Sequence, residues 1–581
     1  MRQERQRELW TWAAALSVYS ATAIAYFVVP LGKHFGNRLL GTALFAPDPI
    51  LTAGILEWGY RSLWSPARHI FDWNAGFPLH DSLAGTENLI GWQLFYTPLR
   101  FLGGTVAAYN SSIVVSFVLS GLGTALLARR LGVDRCGSIV AGFIFAFVPF
   151  HLNHIIHIQT MAVCYCPVVL YFLDRYLSTT TLQSAIPLIA TYVLTALSSL
   201  YFGLFLLPLI ALYATLCWVL GRYRFRFRTL EGLLGAGLAC AMLLLPILLP
   251  YVRFGSEYGY RHPLGSVTQF SLDLLAVGKL PRWAPLWSRG LIRRSMGWTP
   301  AFPGFIASVL AVAFLFARNT KRETGQVRVT LALLGFACFV LSLGPVLKIH
   351  AYEPIWSASW IPMPGKIFML YPAIRWPMRI LLLSFLFGAI LSGFGFSHLT
   401  RRMIPRMRLA AAFLALLLLF VEYRPRAFYA GKSLELAAPL ASSEAYPFLS
   451  AESDRGAVVE LPAINREGDS APYRARHVYG SAGHLRRVVA FHGSVLPTLL
   501  DNLTAAAETL PNEPARRLLL AWGVTRLVVH REPPFVDSVP LRRDAIIQAG
   551  YRVLFDGKHA TVFELKYPPG VPRTSASPLS P

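Results

Sequence analysis

The chain has 581 residues, of which 54% are hydrophobic and only 14% charged, with a mean hydropathy of +0.47. That proportion of apolar surface cannot be hidden from water, which excludes an ordinary soluble protein and makes lipid the solvent of much of the chain. The formal net charge of +24 does not point to nucleic acid, because the arginines cluster at the ends of apolar segments and act there as topology signals.

The first apolar stretch, 10–31, is long enough to span and lacks a small-residue cleavage site, so it reads as a transmembrane helix rather than a signal peptide. At roughly 20 apolar residues per helix, about eleven spans are expected. They fall at 10–31, 107–128, 137–151, 159–177, 182–199, 201–220, 231–251, 301–317, 328–347, 379–399 and 408–423. The short loops carry a consistent sign. Arg2, Arg5 and Arg7 precede the first span, and Arg129, Arg130 and Arg135 follow the second. Arg222, Arg224, Arg226 and Arg228 follow the sixth, Arg318, Lys321 and Arg322 the eighth, and Arg401, Arg402, Arg406 and Arg408 the tenth. All fall on one side if the N-terminus is cytoplasmic. Loop 32–106, the turn at 151–158, loops 252–300 and 348–378, and everything after Tyr423 then lie outside. The six cysteines sit in or beside apolar segments, so no disulfide framework is expected.

The first outer loop, 32–106, carries Asp48, Glu57, Asp72, Asp81 and Glu87, and loops of that length usually have a purpose. Two amphipathic helical patterns, 50–63 and 87–101, are expected to lie in the membrane interface. Asp72 and Asp81 read as turn or cap residues. Asp48 follows a span and precedes Pro49 at the lip of the bundle, where desolvation would raise its pKa towards the range of a general base. On the turn after the third span, His151, His154, His157 and Gln159 follow a spacing that on a helix brings the three imidazoles near one face, a candidate substrate or metal site; interfacial histidines without a ligand are the competing reading.

Loop 252–300 holds Arg253 and Arg261, among other arginines, against the positive-inside trend, and Lys366, Arg375 and Arg379 precede or open the tenth span. They read either as ligands for an anionic headgroup, which suits a planar guanidinium, or as side chains snorkelling to lipid phosphates. Residues 424–567 alternate β-rich runs (457–461, 487–491, 526–530, 552–555, 560–565) with helical patterns (496–510, 514–522, 541–549), as expected of a soluble α/β domain. The Pro/Ser-rich tail 568–581 is expected to be disordered. The fold class is therefore an all-α polytopic membrane domain, 1–423, followed by an extracytoplasmic α/β domain.

Several of these segments together resemble the GT-C class of polytopic glycosyltransferases, in its bacterial form. They are Asp48-Pro49, Phe71-Asp72 with Phe77-Pro78, Thr86 to Gly91, Ser120 to Gly123 with Ala128 to Leu131, Phe147 through His154, His157 and Gln159, Tyr201-Phe202-Gly203, and 375–379. The resemblance is best over 40–210. It implies a GT-C-like bundle in the bacterial inner membrane that moves a sugar from a polyprenyl-phosphate-linked donor to a glycan, lipid or protein acceptor of the envelope. It also implies that Asp48 acts as base or metal ligand with Glu87 in support, and that Arg253, Arg261, Lys366, Arg375 and Arg379 hold the donor phosphate. Two departures stand out: the second outer loop has His154 and His157 where a pair of carboxylates is usual, and Asn88 stands where a histidine is usual after Glu87. A divalent cation, Mg²⁺ or Mn²⁺, stays open. The competing functions are a lipid-linked-saccharide flippase, for which Asp174 and Glu422 are the few ionisable residues within spans, and a non-catalytic envelope scaffold. No phosphate-binding or dinucleotide motif occurs in the inner loops, and no nucleic-acid partner is expected.

Overall fold

The computed structural model describes residues 2–41, 47–65, 69–259, 262–278, 301–318, 321–349, 363–370, 374–425, 443–463, 471–493, 497–531 and 540–567. Arg261 and the tail 568–581 lie outside the described residues. A helix occupies each of the eleven segments expected to span. Among the described residues, seven helices are long and apolar enough to cross a membrane: Gln3–His34, Ile90–Leu131, Arg135–Asn153, Leu200–Val219, Phe227–Tyr258, Arg322–Ser342 and Pro377–Thr400. Leu182–Ser198 and Phe305–Leu315 are shorter apolar helices, Cys166–Thr179 has 14 residues, and Pro405–Tyr423 carries Arg406, Arg408 and Glu422. The protein is a multi-pass membrane protein.

The chain forms two compact units. The first comprises Met1–Phe35, Asn110–Leu245 and His262–Ser433. At its centre the helix Leu381–Thr400 packs against Arg135–Phe147, Phe305–Leu315 and Arg322–Ser342. Small residues allow this close approach: a Cβ added at Gly395 would overlap the Leu310 carbonyl, and one at Gly393 would meet that of Gly137. Ser392 Oγ donates to Ala307 O at 2.8 Å and Ser384 Oγ to Gly335 O at 2.8 Å. Where lipid competes with protein for apolar surface, such close packing and interhelical hydrogen bonds hold helices together. Leu234, Leu238, Met242 and Leu243 of Phe227–Tyr258 are exposed, as lipid-facing residues are.

Two acids within spans, Asp174 and Glu422, are structural. Asp174 is buried and receives Arg130 Nε at 2.7 Å, Arg222 Nη2 at 3.1 Å, and the hydroxyls of Tyr213 and Tyr223 at 2.8 and 2.9 Å. Glu422 accepts the Phe305 and Ile306 N–H groups at 2.5 and 3.4 Å, satisfying donors that the start of a helix leaves without intrahelical partners.

The second unit comprises Gly36–Tyr109, Pro246–Arg261 and Leu434–Pro581. Its sheet has strands β1 (Ala457–Leu461), β2 (Val524–His530), β3 (Arg552–Asp556) and β4 (Ala560–Glu564) in the order β1-β2-β4-β3. β1 and β2 are parallel, and the other pairs antiparallel. The expected strand at 487–491 is instead an extended run that makes isolated bridges, Val488 pairing with both Val458 and Ala75. Val488 N donates to Asn74 O at 2.7 Å and Phe77 N to Val488 O at 2.9 Å, so backbone from loop 32–106 pairs with backbone of the C-terminal region. Asn74 Nδ2 adds bonds to Ser481 O and Arg486 O at 2.7 and 3.1 Å.

The helix expected at 50–63 in the membrane interface forms as Pro47–Leu63, but Pro49 to Gly59 are buried. It packs on Ala471–His484, so closely that a Cβ at Gly54 would come 3.2 Å from Tyr479 Cα. Its apolar face is thus covered by protein. The second expected interfacial helix begins only at Gln93 and continues into the second span, with a non-helical residue at Gly104. Leu94, Phe101 and Leu102 are exposed on it. Glu57 links the two helices: its carboxylate receives Arg100 Nε at 2.8 Å, Arg61 Nε at 3.0 Å, Tyr96 OH at 3.0 Å and Thr105 Oγ1 at 3.2 Å. Burial pushes this carboxyl up, but the hydrogen bonds and charges of Arg100 and Arg61 outweigh burial and hold it below the usual carboxylate range.

Candidate functional site

In the first unit the helix Arg135–Phe147 stops at Val148, and Pro149 opens a short helix, Pro149–Asn153. His154 caps that helix and His157 precedes the next, Ile158–Met161. The three histidines therefore do not share one continuous helical face. His151 turns into the core, with Nδ1 3.0 Å from Ala146 O and its ring stacked on Phe117 at 4.5 Å. His154 Nδ1 lies 2.7 Å from Phe150 O, and its ring is 6.2 Å from that of His157. Gln159 Oε1 is buried without a hydrogen-bond partner among the described residues.

His157 meets Trp376 edge to face at 5.3 Å, and Trp376 is the hub of an aromatic and cationic cluster. It stacks on Phe270 at 4.2 Å. The buried Arg379 guanidinium lies 5.0 Å from the Trp376 ring centre and 4.8 Å from that of Tyr201. Arg375 lies over Phe270 at 4.4 Å, with Nε donating to Ser266 Oγ at 3.1 Å and its backbone N–H to Tyr201 OH at 2.9 Å. Rings that hold a guanidinium by its faces fix the plane of its in-plane N–H groups, the geometry that matches phosphate oxygens. His262 is buried, and burial together with the Arg375 charge pushes its pKa down to about 4, so at neutral pH it adds no charge. Lys366 is exposed on the turn Pro364–Leu370.

The second unit holds the carboxylates. Asp48 lies in the first turn of Pro47–Leu63, where the helix dipole favours a negative side chain. Thr52 Oγ1 bonds back to Asp48 O at 2.8 Å and sits 3.2 Å from Tyr109 OH. Glu87 is half-buried in a non-helical segment fastened on both sides. Tyr251 OH donates to Thr86 O at 2.9 Å, Asn88 Nδ2 to Tyr251 OH at 3.2 Å, and Ile90 N to Asn88 Oδ1 at 3.0 Å. Asn88 thus supplies a donor and an acceptor at once. Arg253, with 63% of its side chain exposed, pairs with Asp81 at 3.2 Å.

Sequence reasoning singled out His154, His157, Arg375 and Arg379, and the first unit brings them to one cluster. It missed Trp376, Phe270 and Ser266 as members, because ring stacking between residues a hundred positions apart leaves no local pattern. For a divalent cation, Asp48, Glu87, His154 and His157 belong to none of the groups of described residues whose ligand atoms lie within 4.8 Å of one another.

No protein-family model and no curated protein matches the chain. Solved structures do. A mycobacterial arabinofuranosyltransferase, AftD, aligns over 95% of this chain and 41% of its own at 15% identity, with a TM-score of 0.52. This chain has a GT-C fold. ArnT from Cupriavidus metallidurans, in its complex with undecaprenyl phosphate, aligns over 98% of this chain and 99% of its own (13% identity, TM-score 0.48). The oligosaccharyltransferase of Archaeoglobus fulgidus covers 89% of this chain and 69% of its own (13% identity, TM-score 0.44).

Proposed function

We propose that this protein is a membrane glycosyltransferase that moves a sugar from a polyprenyl-phosphate-linked donor to an envelope acceptor at the outer face of the bacterial inner membrane. The observation that carries the reading is the cluster of Arg375 and Arg379 on Trp376, Phe270 and Tyr201, beside His154 and His157. Fixed cationic donors for a phosphate beside aromatic faces that take a sugar ring suit a glycosyl phosphate.

In this reading Asp48 accepts the proton of the acceptor hydroxyl as its oxygen attacks the anomeric carbon. The bond from that carbon to the phosphate oxygen breaks, and its electron pair leaves with the polyprenyl phosphate. Arg375 and Arg379 stabilise the charge that develops there, with Lys366 and Arg253 as further cations and Glu87 supporting the acceptor side. Donor energy resides in the glycosyl phosphate bond, which agrees with inner loops whose sequence carries no P-loop or Gly-rich dinucleotide motif. Structural roles for Asp174 and Glu422 weigh against a flippase, which needs ionisable groups along a path.

The test uses the full chain in lipid nanodiscs with polyprenyl-phosphate sugars and a panel of lipid and glycan acceptors. Donor-dependent transfer that falls about 10²-fold or more in Asp48→Asn supports the mechanism. Equal turnover in the variant removes Asp48 as base, and headgroup translocation without transfer overturns the enzyme reading.

A further inference from the structure

The C-terminal sheet carries a cluster that the glycosyl-transfer reading does not use. Glu460 and His530 occupy adjacent parallel strands: Glu460 is in register with Val528, and His530 stands two residues further, so both side chains leave the same face of the sheet. Above that face runs the helix Ala471–His484, which supplies His477. The three side chains are 0%, 2% and 1% exposed. Their ligand atoms all lie within 4.8 Å of one another.

A carboxylate and two imidazoles with almost no access to water are costly unless something compensates them. The hydrogen-bond directions show what is required. His477 Nε2 lies 3.0 Å from the Pro462 carbonyl, which can only accept, so Nε2 carries the hydrogen and Nδ1 of the neutral ring has a lone pair. That Nδ1 faces Glu460 Oε2 at 3.2 Å. His530 Nε2 faces the same oxygen at 2.7 Å, while its Nδ1 lies 3.4 Å from Ser443 Oγ. Tyr446 OH donates to Oε2 at 3.1 Å, and Oε1 has no hydrogen-bond partner among the described residues. Two imidazole nitrogens and a carboxylate converge, and each imidazole is oriented through its other nitrogen by a carbonyl or a hydroxyl, which is the usual outer shell of a metal-binding histidine.

We propose that Glu460, His477 and His530 form a buried structural Zn²⁺ site that fastens the helix Ala471–His484 to strands β1 and β2. Two imidazoles and one carboxylate suit a borderline ion such as Zn²⁺, and separations near 3 Å between donors fit bonds of about 2.0–2.1 Å. One ion meets the Nδ1 lone pair of His477, the Nε2 lone pair of His530 in its Nδ1–H tautomer, and the charge of Glu460. A water or the Tyr446 oxygen fills the fourth position. The exposed group His69, Asp72 and Asp81 is the internal comparison, since Asp81 is already paired with Arg253.

The experiment takes the full chain in detergent, exposes it to micromolar Zn²⁺, removes free ion by gel filtration and measures metal by mass spectrometry. About one equivalent per chain is expected, with an X-ray absorption shell of nitrogen and oxygen at about 2.0 Å. Glu460→Gln and His477→Asn lose that equivalent, Ser443→Ala weakens binding about 10–100-fold, and Asp72→Asn changes nothing. If the ligand variants fail to fold, the wild-type stoichiometry and shell still decide. A wild-type chain that retains less than about a tenth of an equivalent overturns the proposal and leaves an imidazolium–carboxylate clamp, by the linkage between metal and protonation. So does full zinc retention in Glu460→Gln, or a shell containing sulfur.

Discussion

Substituting Glu57 by glutamine tests whether loop 32–106 is held by buried ion pairing rather than by the membrane surface. The amide keeps the volume and can still accept from Tyr96 and Thr105, whose oxygens stand 3.0 and 3.2 Å from the carboxylate. It loses the charge that Arg100 and Arg61 meet at 2.8 and 3.0 Å. Breaking a fully buried pair costs about 3–5 kcal/mol, but Arg100 and Arg61 are 25% and 32% exposed, and water recovers part of that. Counting instead the difference between charge-assisted and neutral hydrogen bonds at two arginines gives about 2 kcal/mol. A unit of this size loses roughly 2–4 °C in Tm per kcal/mol, so a fall of about 4–8 °C is expected in thermal unfolding of the detergent-solubilised chain.

The pH dependence adds a second readout. Although burial raises the Glu57 carboxyl, the arginines leave its folded pKa below the unfolded value. Its contribution is therefore fully present above about pH 4.3, the unfolded pKa, and is lost as pH falls through the folded one. The gap between wild type and variant is constant near neutrality and narrows only in acid. A Tm change within about 1 °C at neutral pH, or a gap that widens as pH falls, refutes the reasoning.

Two further outcomes follow from the first unit. Arg379→Lys keeps the charge but loses the planar guanidinium beside the Tyr201 and Trp376 rings, and should lower kcat/KM for glycosyl transfer about 10–10²-fold; a radiolabelled-donor assay reading wild-type kcat/KM would remove Arg379 from phosphate binding. Gly395→Val places a side chain where the Leu310 carbonyl already stands, so it should lower Tm and monodisperse yield, at a cost of about 1–3 kcal/mol or more, as measured by size exclusion and thermal melting; unchanged behaviour would show that the two helices can separate freely.

The local readings that succeeded depended on short-range pattern. Apolar stretches placed a helix at each expected span because length and hydropathy act on the segment itself. The helical patterns at 496–510, 514–522 and 541–549 appear as Thr498–Glu508, Glu513–Ala521 and Pro540–Gln548. Pattern failed where a partner decided the outcome. An amphipathic helix needs something apolar to cover it, and for Pro47–Leu63 that is the helix Ala471–His484 rather than lipid. The run 487–491 has strand composition, yet its hydrogen bonds go to Val458 and to residues 74–77 in isolated bridges.

The same division separates the site residues. By itself the sequence determined that much of this chain belongs in a membrane and which acids and arginines stand beside the apolar segments. Only the tertiary structure decided what those residues face. It spent Glu57, Asp174 and Glu422 on structure, stacked Arg375 and Arg379 on Phe270, Trp376 and Tyr201, and brought Glu460, His477 and His530 into one buried cluster. Burial and long-range pairing set the chemistry of a side chain, and neither is written in the residues next to it.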